Sequence, residues 1–281
     1  MISKNIIIKS TLHKKPISAD LRYISSNEKK PLILFVHGFK GFKDWGVFNL
    51  LSEAYARKGF IFMKINLSHN GTTPEQPVDF VDLEAFGNNN FTIELNDLKD
   101  AIDYVFSENF EVDKAELDRE AIHLMGHSRG GGLVLLKANE DERIKKVITL
   151  AAISDLTTRY PEEVLEAWRK NGVQYIDNAR TGQRMPLYVQ LYHDVMENVD
   201  RLSIPKAVEE MKQPLLNFHG TADETLPVAM ARQIKSIKPD TSLVIFEDAN
   251  HVFGATHPWE KNELPELFKQ VVEKSSDFLS E

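Results

Sequence analysis

Ala121-Ile122-His123-Leu124-Met125-Gly126-His127-Ser128-Arg129-Gly130-Gly131-Gly132 is the stretch on which the fold turns: an apolar strand breaks into Gly-x-Ser-x-Gly and feeds a helix. A serine hydroxyl is a poor nucleophile at neutral pH. It becomes a useful one at a sharp strand-to-helix turn, where a histidine can reach it. Gly126 and Gly130 lack the side chains that would collide with neighbouring backbone at such a turn, and the helix after Ser128 points its positive end at any oxyanion forming there. Ser128 is therefore the expected nucleophile. The plainer possibility is that the glycines only tighten a turn in a doubly wound sheet. A dinucleotide fingerprint would need Gly-x-Gly-x-x-Gly with an acidic residue about twenty positions later, and that spacing is absent.

Outward from this stretch, strands alternate with helices, which implies an α/β chain with a mostly parallel sheet. Residues 5–10 and 18–25 read as opening strands, and 31–36 as a buried strand ending at His37-Gly38. A helix is expected over 45–58, a strand over 60–67, a long loop over 68–90 and a helix over 91–106. The nucleophile strand, 121–126, is followed by a helix over 130–139 and a strand over 146–153. The regularity changes over 155–213, where Tyr160-Pro161-Glu162-Glu163 begins a helical stretch and Pro186 and Pro205 divide the remainder of the segment. This segment reads as an inserted cap. Its Tyr160, Trp168, Tyr175, Met185, Tyr188, Tyr192 and Met196 either line a pocket or dock the insertion on the sheet. Strands at 214–220 and 242–246 and a helix over 262–279 complete the chain.

A length of 281 residues with 42% hydrophobic content is enough for one large α/β domain with a sizeable core. The net charge of −8 is scattered, so nucleic acid is not an expected partner. The absence of cysteine excludes disulfides, thiolate metal sites and cysteine nucleophiles. Ile6-Ile7-Ile8 is too short an apolar run for a signal peptide and reads as strand, and no apolar run is long enough to span a membrane. A cytoplasmic protein is the expectation. The apolar positions of the last helix, among them Leu264, Phe268 and Val271, can be buried by the same chain's sheet, which leaves monomer and homodimer both open.

Ser128 needs a base, and the base an acid, in loops at the carboxyl ends of later strands, in the order Ser, acid, His. His13, His37, His69 and His123 precede the nucleophile. His127 adjoins Ser128, so its side chain projects away and packs beside the turn; His193 lies in the cap, and His219 sits in a strand-ending His-Gly that shapes a turn. His251, five residues past the strand 242–246, is the expected base, with His257 in reserve. Asp223, in His219-Gly220-Thr221-Ala222-Asp223, is the expected acid, with Asp155 and Asp248 as alternatives and helix capping as its plainer role. The oxyanion needs two backbone N–H donors, expected from Phe39, after the strand 31–36, and from Arg129.

His37-Gly38-Phe39, Gly126-His127-Ser128-Arg129-Gly130, His219-Gly220-Thr221-Ala222-Asp223 and Asn250-His251-Val252-Phe253, in this order and across nearly the whole chain, resemble the α/β-hydrolase superfamily. Within it the chain looks most like the bacterial branch of cinnamoyl and feruloyl esterases, dienelactone-hydrolase-like and prolyl-oligopeptidase-like proteins. The resemblance implies a mostly parallel eight-stranded sheet with helices on both faces, a single domain over 1–281 and a small helical cap insertion at 155–213. It implies hydrolysis of carboxylic esters, small or aromatic and cinnamoyl or feruloyl esters among them, through an acyl-enzyme at Ser128, with neither metal nor organic cofactor. The chain departs from many relatives after the fourth strand, where Asn66-Leu67-Ser68-His69-Asn70-Gly71 replaces an Asp-x-Arg-Gly-His-Gly turn. Phe86-Gly87-Asn88-Asn89-Asn90-Phe91 is a further unusual stretch, read as an asparagine-capped turn or as a contact for a polar substrate group. Two other functions compete: an amidase or exopeptidase on the same three residues, and a non-catalytic binding protein on a hydrolase scaffold.

Overall fold

The computed structural model describes residues 1–156 and 161–281. In chain order the elements are β1 (Ile2–Ile8), β2 (Ile17–Tyr23), β3 (Lys30–Val36), α1 (Phe48–Arg57), β4 (Ile61–Asn66), α2 (Leu83–Gly87), α3 (Phe91–Phe106), β5 (Leu117–His127), α4 (Arg129–Glu140) and β6 (Ile144–Leu150). Next come α5 (Glu162–Asn171), β7 (Val173–Asn178), β8 (Gln183–Tyr188), α6 (Gln190–Glu197), α7 (Ile204–Glu210), β9 (Leu215–Gly220), α8 (Ala229–Ile237), β10 (Ser242–Phe246) and α9 (Glu266–Ser280). Eight strands form one sheet in the order β1-β2-β4-β3-β5-β6-β9-β10. Only β1 with β2 and β2 with β4 run antiparallel; the remaining pairs are parallel.

The pleat of β3 divides the core. Leu32, Leu34 and Val36 face the layer that holds Leu98 and Ile102 of α3 and Val134 of α4. Ile33 and Phe35 face the opposite layer, with Leu51 of α1 and Val271 of α9. Both faces are apolar because helices cover both, the expected condition of a parallel sheet. The carboxyl ends of β3, β5, β9 and β10 therefore open on one edge, where ligands of such sheets bind.

On α3 three buried carboxylates at spacing three interrupt the apolar stripe. Glu94 accepts from Arg129 Nε at 2.8 Å, Asp97 from the Ser68 N–H at 2.8 Å, and Asp100 from the Thr11 N–H at 2.8 Å. Residues three apart share a helix face, so one row of acids ties down the Ser128 turn, the loop after β4 and the loop after β1.

The stretch from 161 to 213 is mixed rather than purely helical. An antiparallel hairpin, β7 with β8, pairs Val173 with Tyr188 through Asn178 with Gln183. Pro186 reads in the sequence as a divider, yet it sits inside β8, which pairs with β7 alone; an edge strand tolerates a missing donor. The expected 68–90 loop contains α2. Of the aromatic and methionine side chains singled out in this insertion, Tyr160 lies outside the described residues. Trp168 is buried and donates from Nε1 to the Leu187 carbonyl at 2.8 Å, whereas Tyr175 and Met196 are exposed.

Candidate active site

Ser128 occupies the junction of β5 and α4 with φ 56° and ψ −118°. A non-glycine residue there carries roughly 1–3 kcal/mol of strain, offset by its N–H donating to the Leu150 carbonyl at 2.8 Å. A Cβ at Gly130 would stand 2.4 Å from the carbonyl oxygens of both Val36 and His37, so only glycine lets α4 start this close to β3. A Cβ at Gly38 would stand 2.9 Å from the Cβ of Ser128. The loop after β3 thus lies directly on the serine, with Phe39 next in the chain, while Arg129 is the first residue of α4.

His251 comes after β10 and meets Ser128: its Nε2 is 3.0 Å from Oγ. Its Nδ1 is 2.8 Å from Asp223 Oδ2, in the loop after β9. An ionised carboxylate only accepts, so Nδ1 carries the proton and the Nε2 lone pair faces the serine hydroxyl. The two loops are tied together. A Cβ at Gly220 would stand 2.1 Å from the Ala249 carbonyl oxygen, and the N–H groups of Thr221 and Ala222 donate to Phe246 and Ala249 at 3.0 and 3.1 Å. Burial pushes the Asp223 carboxyl upward, but hydrogen bonds from His219, His251 and the Leu226 N–H outweigh it and hold the group below the ordinary carboxylate range.

The remaining candidates are placed elsewhere. His257, the reserve base, accepts the Gly46 N–H on Nδ1 at 2.9 Å and stacks on Trp45. Asp248 is exposed, with its N–H on Thr221 Oγ1 at 2.9 Å. Asp155 lies after β6, and the carboxylate on His251 Nδ1 is that of Asp223.

His127 does more than pack. Burial lowers its pKa to about 3, so it is neutral, and its Nε2 donates to the His251 carbonyl at 3.0 Å. His219 is fully buried; its Nε2 donates to the Leu226 carbonyl at 2.9 Å and lies 3.3 Å from Asp223 Oδ2. Sequence reasoning assigns His219 only a turn-shaping role, although a histidine four residues before an acid at a strand end carries the signal. The Arg129 side chain turns away from the serine into a buried pair with Glu94, its guanidinium 4.0 Å from the Phe91 ring centroid. Burial pushes the Glu94 carboxyl up, against the pull of Arg129.

A second serine lies among histidines and a carboxylate in the departing loop after β4. Ser68 Oγ donates to Asp97 Oδ2 at 2.7 Å and is 3.1 Å from His13 Nε2 and 2.8 Å from His69 Nδ1. Its proton is already directed at a carboxylate, and no strained turn presents the oxygen, so the set joins three segments rather than forming a nucleophile. The row of acids Glu94, Asp97 and Asp100 at spacing three among the apolar positions of α3 is the available signal.

The cleft over Ser128 encloses about 230 Å³. Phe39, Trp45 and Phe48 give it an aromatic wall, and Lys40, Asn178 and Arg180 a polar one. The insertion reaches this cleft through the end of β7 and the hairpin turn rather than through the aromatics expected of it. Asn89 and Asn90 serve the scaffold: Asn90 caps α3 by accepting the Ile93 N–H at 2.8 Å and donates from Nδ2 to Gln190 of α6 at 2.7 Å, and Asn89 Nδ2 donates to Glu94 at 2.6 Å.

Known proteins share this architecture. The family model BD-FAE matches residues 20–237. Est1E from Butyrivibrio proteoclasticus, solved with ferulic acid bound, superposes with a TM-score of 0.71 at 19% identity over 98% of both chains. The esterase domain of a Rhodothermus marinus protein gives 0.65 at 20% identity over 99% of this chain and 98% of that one. An uncharacterized peptidase, YuxL of Bacillus subtilis strain 168, is 25% identical over 239 residues, 82% of this chain. The chain spans about a third of the length of that curated relative, 32%.

Proposed function

The chain belongs to the BD-FAE family, with an α/β-hydrolase fold, and from that footing we propose that it cleaves carboxylic esters through an acyl-enzyme at Ser128. The observation that carries this reading is the hydrogen-bonded series Ser128 Oγ to His251 Nε2 at 3.0 Å and His251 Nδ1 to Asp223 Oδ2 at 2.8 Å, set on a strained turn.

In the proposed mechanism Ser128 Oγ attacks the ester carbonyl while His251 Nε2 takes its proton. The resulting imidazolium is stabilised by Asp223, and the oxyanion by the backbone N–H groups of Phe39 and Arg129 at the start of α4. His251 then returns the proton to the leaving alcohol. A water repeats the sequence on the acyl-enzyme, releasing the acid and restoring Ser128. The segment 155–213 serves as a cap that supplies Asn178 and Arg180 to the cleft. The substrate is a small-molecule ester, and the aromatic wall of Phe39, Trp45 and Phe48 suits a flat acyl group such as a cinnamoyl or feruloyl one.

Initial rates on acetyl, butyryl, longer-acyl and feruloyl esters, with Ser128→Ala as the blank, test the reading. Saturable hydrolysis lost in the variant is expected; residual turnover within about tenfold of wild type would overturn it. The likeness to a curated peptidase favours one second reading, amide cleavage by the same residues. A chromogenic aminoacyl amide measured against its ester separates the two.

A further inference from the structure

The chain carries a net charge of −8, yet the Ser128 cleft is lined by two cations, Lys40 and Arg180, and by no carboxylate among the described residues. Lys40 Nζ donates to the Asp177 backbone carbonyl at 3.2 Å, which leaves two of its three N–H groups for another acceptor. Arg180 is braced by the rings of Phe42 and Phe80 and donates from Nη2 to the Val78 carbonyl at 3.1 Å. The carboxylate facing it, that of exposed Asp79, stands off at 3.8 Å from Nη1.

Asn178, which is 7% exposed, lines the same cleft. Its Oδ1 accepts the Arg180 N–H at 3.2 Å, which fixes the amide orientation and makes Nδ2 the donor aimed away from that contact. Nδ2 is buried and has no acceptor among the described residues. A buried donor left unpaired costs about 1–3 kcal/mol. A lysine and an arginine that keep N–H groups beyond their backbone contacts, with an unpaired amide beside them, therefore make this wall rich in donors.

Building on the ester-hydrolase reading of Ser128, we propose that this wall binds a carboxylate, so that the preferred substrate is an ester that also bears a free carboxylate group. Two cations less the one loosely placed carboxylate of Asp79 leave about one positive charge. That balance suits a carboxylate better than a phosphate monoester, which carries about −1.5 to −2 at neutral pH. The planar guanidinium fork also matches carboxylate geometry. Ester hydrolysis leaves the second carboxylate untouched: water adds across the acyl–oxygen bond, and the product is a dicarboxylic acid or a hydroxy acid with its alcohol or acid partner.

The test uses isosteric pairs that differ only in this group. Monoethyl adipate is compared with ethyl 5-carbamoylpentanoate, which places the carboxylate on the acyl side. 4-Acetoxybutanoate is compared with 4-acetoxybutanamide, which places it on the alcohol side. In at least one pair the carboxylate ester is expected to show a kcat/KM at least about tenfold higher than the amide, chiefly through KM. The ratio should fall at least about fivefold in Arg180→Gln and in Lys40→Gln and should shrink as salt is raised. A ratio near one in both pairs, or a ratio unchanged by both substitutions, overturns the proposal while hydrolysis of the amides leaves the hydrolase reading standing. If neither member of either pair is hydrolysed, calorimetric titration of Ser128→Ala protein with each compound decides. Binding of the carboxylate member alone, weakened by Arg180→Gln, sustains the anion site, and equal or absent binding removes it.

Discussion

His219 lies 3.3 Å from the same Asp223 oxygen that His251 holds at 2.8 Å, so two histidines approach one carboxylate oxygen from different strands' ends. The Leu226 carbonyl accepts from His219 Nε2, so that nitrogen carries a proton it also offers to Asp223. His219→Leu should lower kcat/KM about tenfold, well short of the roughly 10⁴-fold that accompanies loss of the acid's role. His219→Gln, which can still donate, should recover most of the loss. Equal rates in all three proteins would leave the placement of Asp223 to the N–H groups of Thr225 and Leu226, which donate to its Oδ1 at 2.9 and 2.8 Å, and to His251.

Asp223→Asn tests the acid itself. An amide nitrogen turned toward His251 would donate to Nδ1, which moves the imidazole proton to Nε2 and removes the lone pair facing Ser128. We expect kcat to fall by roughly 10⁴ with the fold intact. Loss of under about tenfold, with unchanged thermal unfolding, would show that another group sets the tautomer.

His123 provides a test of acid stability away from the site. It is buried on β5, both ring nitrogens lack partners among the described residues, and burial lowers its pKa from 6.5 to about 4. Between those values the unfolded chain binds a proton that the folded chain refuses, so stability present above pH 6.5 is lost as pH falls toward 4. The slope is about 1.4 kcal/mol per pH unit for one such group. His123→Phe should therefore gain roughly 2 kcal/mol relative to wild type on going from pH 7 to pH 5. Denaturant unfolding at the two pH values measures it; parallel shifts in both proteins would show that His123 is protonated in the fold.

Arg129 and Glu94 form a pair that is 6% and 4% exposed in their side chains. Removing one partner of a buried pair leaves the other's charge uncompensated, so Arg129→Met should cost about 3–5 kcal/mol in urea unfolding. Adding Glu94→Gln should return part of that. A cost under about 1 kcal/mol would mean that desolvation already cancels the attraction.

Much of this molecule was legible in its sequence, for identifiable physical reasons. Gly126 to Gly130 and the buried run 31–36 obey local rules, and so they disclosed both the turn and the parallel sheet. His251 and Asp223 could be singled out because the strands 242–246 and 214–220 are short, apolar and followed at once by polar residues. The β7–β8 hairpin was hidden because Pro186 breaks the expected pattern and because no sheet outside the pair disciplines its alternation. The links of His219 to Asp223 and of Asp97 to Ser68 depend on side chains meeting across loops. Spacing alone gave them only as acids and histidines in apolar surroundings.

The β7–β8 hairpin turn has a wider consequence. Ser128, His251 and Asp223 stand on loops that the eight-stranded sheet cannot alter without refolding, whereas Asn178 and Arg180 belong to a ribbon paired only with itself. On the proposed function, reactivity and selectivity are thus written on separate pieces of chain. A lineage could exchange the ribbon's tip, residue by residue or whole, and acquire a new diet while its chemistry stayed fixed.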